Sequence, residues 1–214
     1  MSSSIRLGAV FWLLTAEFFL AQIIAQSALP GFSLATQDIS LLGVTACGAD
    51  ASASGYACSP LHLVFNAGIF INGMLVVLGL WLTRSIWPQG GLTTAALWLL
   101  ALGGDGSMLV GLFPLDQNLG LHMVGAALAL GVACLGFLAL ARVLWPTRRT
   151  LALYTLATGA ITLLAFLLYV AGQDFGLGKG TLERIAAWPH TLWYMVMGFL
   201  VLRGSFTSGP ARTA

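Results

Sequence analysis

The chain of 214 residues is 58% apolar and only 7% charged, and its mean hydropathy is +0.92. Soluble domains carry about 25% charged residues, so this composition excludes a soluble globular protein, a disordered chain and a coiled coil. A formal net charge of +2 also lacks the basic surface with which proteins bind nucleic acid. The partners expected from composition are therefore membrane lipids, and the sequence indicates no protein partner.

Six stretches are long and apolar enough to cross a hydrocarbon layer of about 30 Å as helices. We predict an all-α, polytopic membrane protein with a single membrane domain over residues 1–214. The predicted spans are residues 7–27, 61–83, 91–113, 120–142, 150–171 and 188–205. The first stretch is too long for the core of a signal peptide and contains Glu17, so we interpret it as a retained helix.

The basic residues predict the orientation. Seven arginines fall at the termini or on the second and fourth loops, whereas only Lys179 and Arg184 fall on the other loops. The positive-inside rule then places both termini in the cytoplasm and residues 28–60 and 172–187 outside. We expect a short interfacial helix within 31–44 and a second short helix over 182–187, with Thr181 as its N-cap.

Two of the three cysteines lie in the first outside loop. Cys47 and Cys58 would meet an oxidising compartment there, so we predict that they form a disulfide. The alternative is a pair of free thiols in a flexible loop. Closing this short loop would staple the chain just before the second span.

Several short motifs are shared with a known family. They are residues 38–43 (DISLLG), 58–62 (CSPLH), 65–68 (FNAG) and 72–73 (NG), then 110–116 (VGLFPLD) with His122, and 180–185 (GTLERI) with Trp193. Together they resemble the six-span prokaryotic membrane family known as domain of unknown function 998. The resemblance implies a multi-pass protein of a bacterial or archaeal plasma membrane and brings no established activity. The asparagine that often precedes the Ile-Ser pair in that family is replaced here by Asp38.

Two carboxyl groups lie inside predicted spans. Glu17 falls near the middle of the first span, and Asp105 falls about 12 Å from the outer end of the third. Ionisable groups at such depths usually face a protein interior, a cavity or a transport path. We therefore expect both carboxyls to face inward, each with a polar partner or water.

The three histidines all fall in the first outer turn of a predicted span. His62, His122 and His190 thus share one membrane depth, and Asp116 lies in the turn just before His122. If their helix faces turn inward, they would line one outward-opening cavity with Asp105 at its floor. Three imidazoles and a carboxylate can hold a catalytic zinc ion with an open water position. The alternative is that the histidines are interfacial anchors. Haem is disfavoured, because its usual ligands are histidine pairs that face each other across a bundle.

The remaining polar candidates surround these histidines. Asp105, Asp116 and Glu183 are the candidate catalytic acids, and Asn66, Arg184 and Tyr194 are candidate contacts for a substrate or lipid. The alternatives are hydrogen bonding between helices for Asn66, and surface or headgroup contacts for Glu183 and Arg184. Four tryptophans near span ends are expected to form an interfacial belt: Trp12, Trp145, Trp188 and Trp193.

Three classes of function remain open. The first is a hydrolase or transferase that acts on a lipid at an outward-facing polar site, with a metal-dependent enzyme as its sharpest version. The second is a transporter, or a protein that binds a lipid or small molecule, in which Glu17 and Asp105 mark the path. The third is a non-catalytic scaffold or sensor. The absence of a proline in the middle of any predicted span argues against many secondary transporters.

Overall fold

The computed structural model describes residues 1–47 and 58–206, and every regular element within them is helical. Six helices in these residues are long and apolar enough to cross a membrane, which confirms the predicted class of fold. They are α1 (Ser3–Ser27), α2 (His62–Ile86), α3 (Gly91–Leu112), α4 (Leu119–Leu144), α5 (Arg149–Val170) and α6 (Lys179–Leu202).

The six helices form a closed ring in chain order. Each helix packs against the next one along the chain, and α6 returns to pack against α1. Glycines allow the closest approaches, because a side chain at either position would collide with the neighbouring backbone: Gly73 of α2 faces Gly104 of α3, and Gly106 of α3 faces Gly125 of α4. Small residues commonly bring membrane helices this close.

Two spans are interrupted near their middle. The hydroxyl of Thr15 donates a hydrogen bond to the Trp12 carbonyl at 2.6 Å, and the helical course of α1 resumes at Glu17. In α4, residues Ala127–Val132 form a π-helical turn, a rare irregularity that is frequent at functional sites. Neither break coincides with a proline, so the usual sequence signal of a broken span gives no warning of them.

The predicted start of the last span was wrong. A single helix runs from Lys179 to Leu202 with Gly178 as its N-cap, so the short helix capped by Thr181 does not exist separately and Pro189 lies inside the span. Gly178 adopts a φ of 87°, a conformation that glycine tolerates, and this turns the chain directly into the helix. The short helix expected within 31–44 is a 3₁₀ helix at Ile39–Gly43, and its place at the membrane interface stays a prediction.

An aromatic core fills the end of the bundle where α1 begins. Trp12 and Trp193 are both fully buried, with ring centroids 6.2 Å apart, and Trp87 stacks on Trp193. The indole nitrogen of Trp193 donates to the Thr155 hydroxyl of α5 at 3.0 Å. The predicted interfacial role is therefore wrong for Trp12 and Trp193, because both rings turn inward.

The segment between α1 and α2 closes the other end of the bundle. Residues 32–46, which we call the plug, turn inward so that Leu42 and Val44 are completely buried and Ile39 nearly so. The plug leads to Cys47, which is bonded to Cys58 as predicted. Residues 48–57 of the predicted outside loop lie outside the described residues.

We predict that the plug end faces outward in the membrane. The arginines at positions 6, 84, 142, 148, 149 and 203 all lie at the opposite end of the alternating helices, which the positive-inside rule assigns to the cytoplasm. A cysteine introduced by Gln173→Cys should react with a membrane-impermeant maleimide on intact cells. One introduced by Thr147→Cys should react only after permeabilisation, and the reverse pattern would contradict this orientation.

Candidate functional site

A small cavity lies at the centre of the ring. Its volume is about 90 Å³, and residues of the plug and of every helix except α5 line it. Since a cavity needs about 10–15 Å³ for each water that it holds, this cavity can hold several waters but no lipid. The polar side chains on its wall are Ser40, Asn72, Ser107, His122, Glu183, His190, Thr191 and Tyr194.

A much larger cleft opens beside it on the surface of the bundle. Its volume is about 960 Å³, and it is bounded by the plug, the first half of α4, the end of α5 and the start of α6. Its apolar wall includes the exposed residues Leu119, Met123 and Val170, so the cleft opens laterally. Polar groups gather around Asp38, Tyr169 and Lys179.

Three polar side chains line both spaces. They are Ser40 of the plug, His122 of α4 and Glu183 of α6, and they separate the cleft from the central cavity. The π-helical turn lies just beyond them, since Ala127 lines the cleft and Ala129 lines the cavity. We define these three residues as the junction.

His122 has a definite hydrogen-bonding state. Its Nδ1 lies 3.0 Å from the carbonyl oxygen of Phe113, which can only accept, so Nδ1 must carry the proton. In the neutral ring, Nε2 is then an acceptor, and it has no hydrogen-bond partner among the described residues. The imidazole is 4% exposed and presents this free nitrogen at the junction.

His190 is engaged within the protein. Its Nε2 lies 2.8 Å from the Thr162 hydroxyl of α5, and its ring stacks on Phe137 of α4 with centroids 4.7 Å apart. The same nitrogen lies 3.7 Å from the Cys134 thiol of α4. His190 therefore ties α4, α5 and α6 together while it lines the central cavity.

His62 does not join the other two histidines. Its Nδ1 lies 2.8 Å from the carbonyl oxygen of Ser59 at the start of α2, and His62 lines neither the cavity nor the cleft. Within residues 1–47 and 58–206, no group of three or more His, Cys, Asp or Glu side chains could hold a metal ion. The predicted convergence on a zinc ion is therefore not supported, because sharing a depth does not make three helices turn the same face inward.

Asp116 binds the plug backbone. The prediction that it lines one cavity with the histidines is wrong, because it lines neither the central cavity nor the cleft. Its Oδ2 accepts hydrogen bonds from the amide of Thr45 at 3.0 Å, the amide of Ala46 at 2.7 Å and the Thr45 hydroxyl at 2.8 Å. Burial by itself would raise the pKa of this carboxyl, but these hydrogen bonds outweigh it and lower the pKa below its ordinary value.

Three further candidates also hold the plug. Glu183 accepts a hydrogen bond from the Ile39 amide, and Asn66 donates to the Gly43 carbonyl at 2.9 Å. One terminal nitrogen of Arg184 donates at 2.8 Å to the carbonyls of both Leu34 and Gln37. Asn66 and Arg184 therefore stabilise the plug, whereas Glu183 both binds the plug and forms part of the junction.

The sequence analysis missed the ion pair beside the cleft. Lys179 contacts Asp38 at 2.5 Å, and the Tyr169 hydroxyl donates to the same carboxylate oxygen at 3.1 Å. The signal that could have found it is the glycine spacing before α6. Side chains at Gly178 and Gly180 would collide with the carbonyls of plug residues Ala35 and Gln37, so glycine there is required for the plug to approach α6.

The two carboxyls within spans have different surroundings. Glu17 is turned toward Gly68 of α2, where its Oε1 is buried without a hydrogen-bond partner among the described residues. Asp105 is exposed on the outside of α3, so the prediction that it forms a cavity floor is wrong. The flanking glycines explain this, because Gly104 and Gly106 pack against α2 and α4 and leave Asp105 to point outward.

Tyr194 lies deep in the bundle. Its side chain is 4% exposed, lines the central cavity and packs edge-on against Trp193. It does not reach the cleft, so contact with a large ligand there is not available to it.

Comparison with known proteins gives one match. Residues 13–200 match the model of a family described as "Protein of unknown function (DUF998)". The chain belongs to this family. No curated protein and no solved structure matches it. Membership in this family agrees with the resemblance drawn from the sequence motifs. The family assigns no activity to this DUF998 chain.

Glu183 should stabilise the fold through the plug. We predict that Glu183→Ala lowers the free energy of unfolding by about 1–3 kcal/mol, because the buried Ile39 amide loses its acceptor. Glu183→Gln keeps an acceptor oxygen and should lose less. Unfolding of both variants in mixed micelles tests this, and equal losses would contradict the role of the hydrogen bond.

Asp116 should make stability depend on pH in a defined direction. Because its pKa is lower in the folded protein, its contribution is complete above the unfolded pKa of about 3.9 and is lost as pH falls through the folded value. The thermal midpoint of the wild type should exceed that of Asp116→Asn by a constant amount above about pH 5, and the gap should shrink below about pH 4. A gap that widens in acid would contradict the assignment.

Proposed function

We propose that this protein binds a membrane amphiphile that enters the cleft from the side, with its apolar chain against α4 and α5 and its polar end at the junction. The observation that carries this proposal is the cleft itself. It has an apolar wall, a cluster of polar groups and an opening on the surface of a membrane-spanning bundle.

The size of the cleft fits such a ligand. Ligand pockets usually measure about 300–1,000 Å³, and the cleft, at about 960 Å³, lies near the upper end of this range. Its apolar wall consists of Leu29, Phe32, Leu115, Leu119, Met123, Ala126, Ala127, Leu130, Phe166 and Val170. A hydrocarbon chain can therefore pass from the surrounding lipid into the cleft without leaving an apolar environment.

The polar end of the cleft favours a head group that donates hydrogen bonds. His122 offers a free Nε2 acceptor, and Glu183 and Asp38 bring two carboxyl groups. Among the described residues that line the cleft, the one cation is the ammonium of Lys179, and it is already paired with Asp38. A hydroxyl or amine head group matches these acceptors, whereas a phosphate would meet two carboxyl groups without a free cation.

Orientation adds a finer proposal. With the plug end outward, the cleft opens to the outer leaflet of a bacterial or archaeal plasma membrane. The amphiphile would then be a component of that leaflet or would arrive from outside. The Cys47–Cys58 bridge, which suits an oxidising compartment, supports this side.

A transporter and a non-catalytic scaffold receive less support. A transport path that joins Glu17 to Asp105 is not favoured, because the first carboxyl faces α2 and the second points outward from α3. A scaffold that binds no ligand would not account for the cleft or for the unpaired His122 nitrogen on its wall.

An enzyme that acts on the same amphiphile is the second candidate. Ser40, His122 and Glu183 line both the cleft and a cavity that can hold water, so a hydroxyl, a base and a carboxyl border the space where a head group would lie. His122 could accept a proton through Nε2 from water or from Ser40. Labelling of Ser40 by a fluorophosphonate probe, lost in Ser40→Ala and in His122→Ala, would favour this candidate over binding alone.

The binding proposal is tested by filling the cleft. Met123 lines it, whereas the adjacent Val124 is equally exposed on α4 and lines neither space. We predict that Met123→Trp weakens binding of a diacylglycerol at least about tenfold, or about 1.4 kcal/mol, and that Val124→Trp leaves it unchanged. Native mass spectrometry of the full chain, titrated with diacylglycerol and with phosphatidic acid of the same acyl chains, gives both affinities.

Two results would overturn the proposal. Equal affinities of the two tryptophan variants would show that the lipid does not occupy the cleft. Phosphatidic acid that binds as tightly as diacylglycerol would contradict the preference for a head group that donates hydrogen bonds.

A further inference from the structure

Asp105 lies on the outer face of α3, about two thirds of the way along the helix. Its neighbours Gly104 and Gly106 contact α2 and α4, one on each side. Successive residues of a helix point about 100° apart, so the side chain between these two glycines must point away from both neighbouring helices. Asp105 is accordingly exposed.

A change of rotamer cannot bring this carboxyl inside. Ser107, which lines the central cavity, lies two residues further and therefore points about 160° away from Asp105. The residues around it on this face are apolar, with Trp98 68% exposed and Leu112 60% exposed, and the exposed Thr94 lies on the same side only near the start of α3. A single carboxyl thus stands within the span on a surface that otherwise suits lipid.

Such a position is costly without a partner. An acidic side chain inside a span is energetically costly where it contacts hydrocarbon. Leu112, the nearer end of α3, is seven residues or about 10 Å away, too far for the short side chain of aspartate to reach the interface. The carboxyl therefore needs a hydrogen-bonding group at its own depth.

The chain itself limits what that group can be. Among the described residues the cation closest to this depth is Arg184, about 7.5 Å inside α6, and it is buried and bonded to the plug carbonyls, so another copy cannot offer it to Asp105. The group that a second copy does bring to this depth is its own Asp105. In a two-fold symmetric pair each surface meets itself, so the two carboxyls would meet at the axis.

We propose that the protein forms a two-fold symmetric dimer within the membrane through the outer face of α3, in which the Asp105 carboxyls of two copies hydrogen-bond to each other. One carboxyl donates its proton to an oxygen of the other, and Trp98, Leu102 and Leu112 surround the pair. Polar side chains commonly join membrane helices in this way. This proposal is independent of ligand binding in the cleft.

The experiment measures self-association of the full chain in lipid vesicles. Labelled copies are reconstituted over a range of protein-to-lipid ratios, and single-molecule photobleaching counts the copies in each particle. Asp105→Leu should raise the dissociation constant at least about tenfold, whereas Asp105→Asn, which can still donate and accept, should stay within about threefold of the wild type. Leu164→Ala, on the exposed face of α5, is the matched control and should change nothing.

Cross-linking tests the interface in the otherwise unchanged protein. Leu102 lies about one turn from Asp105 on the same exposed face, so Leu102→Cys should give a disulfide-linked dimer under mild oxidation and Leu164→Cys should not. A thermal midpoint close to that of the wild type confirms that each variant is folded. A wild type that stays monomeric at every ratio, or an Asp105→Leu variant that dimerises equally well, would overturn the proposal.

Discussion

The plug must satisfy its own backbone polar groups at a buried position, and this requirement determines how the polar side chains at its end of the bundle are used. Apart from its short 3₁₀ turn, the plug lacks a helix to pair its amides and carbonyls, and an unpaired buried group costs about as much as a lost hydrogen bond. Glu183, Arg184, Asn66 and Asp116 supply the missing partners from three different parts of the ring. A cluster that looks catalytic in the sequence therefore consists largely of side chains that bind main chain.

This constraint also shapes the cleft. The plug approaches α6 closely because Gly178 and Gly180 leave room for its carbonyls, and the Lys179–Asp38 pair then closes that side. On the other side, α4 contains the π-helical turn where the cleft meets the central cavity. His122 stands between these two features with one nitrogen held by Phe113 and the other free. Of the two histidines that line the central cavity, His122 is thus the one that leaves a ring nitrogen without a hydrogen-bond partner among the described residues and open to a ligand.

The sequence predicts well how deep a residue lies in the membrane, but it predicts poorly which way the side chain points. Span positions depend on the length of apolar stretches, so the six helices and the Cys47–Cys58 pair could be predicted, and the error at Pro189 arose because a proline normally marks a helix start. Which face of a span turns inward is a different matter, because lipid and protein interior are both apolar. Trp12 and Trp193 therefore look interfacial but form the core, and His62 shares the depth of His122 without sharing its cavity. For Asp105 a usable signal did exist, since the glycines on both sides of it indicate which faces pack.

The position of α3 in the ring makes the two proposals compatible. The cleft is bounded by α4, α5, α6 and the plug, whereas the proposed dimer uses the outer face of α3. Because α4 lies between that face and the cleft, a second copy seated on α3 would leave the mouth at Met123 and Val170 open to lipid. Within each copy α3 also lines the central cavity through Ser107, on the side opposite Asp105. Helix α3 thus separates the proposed dimer contact from the central cavity. Dimerisation would therefore hold the ring from outside and would leave the cavity and the cleft unoccupied.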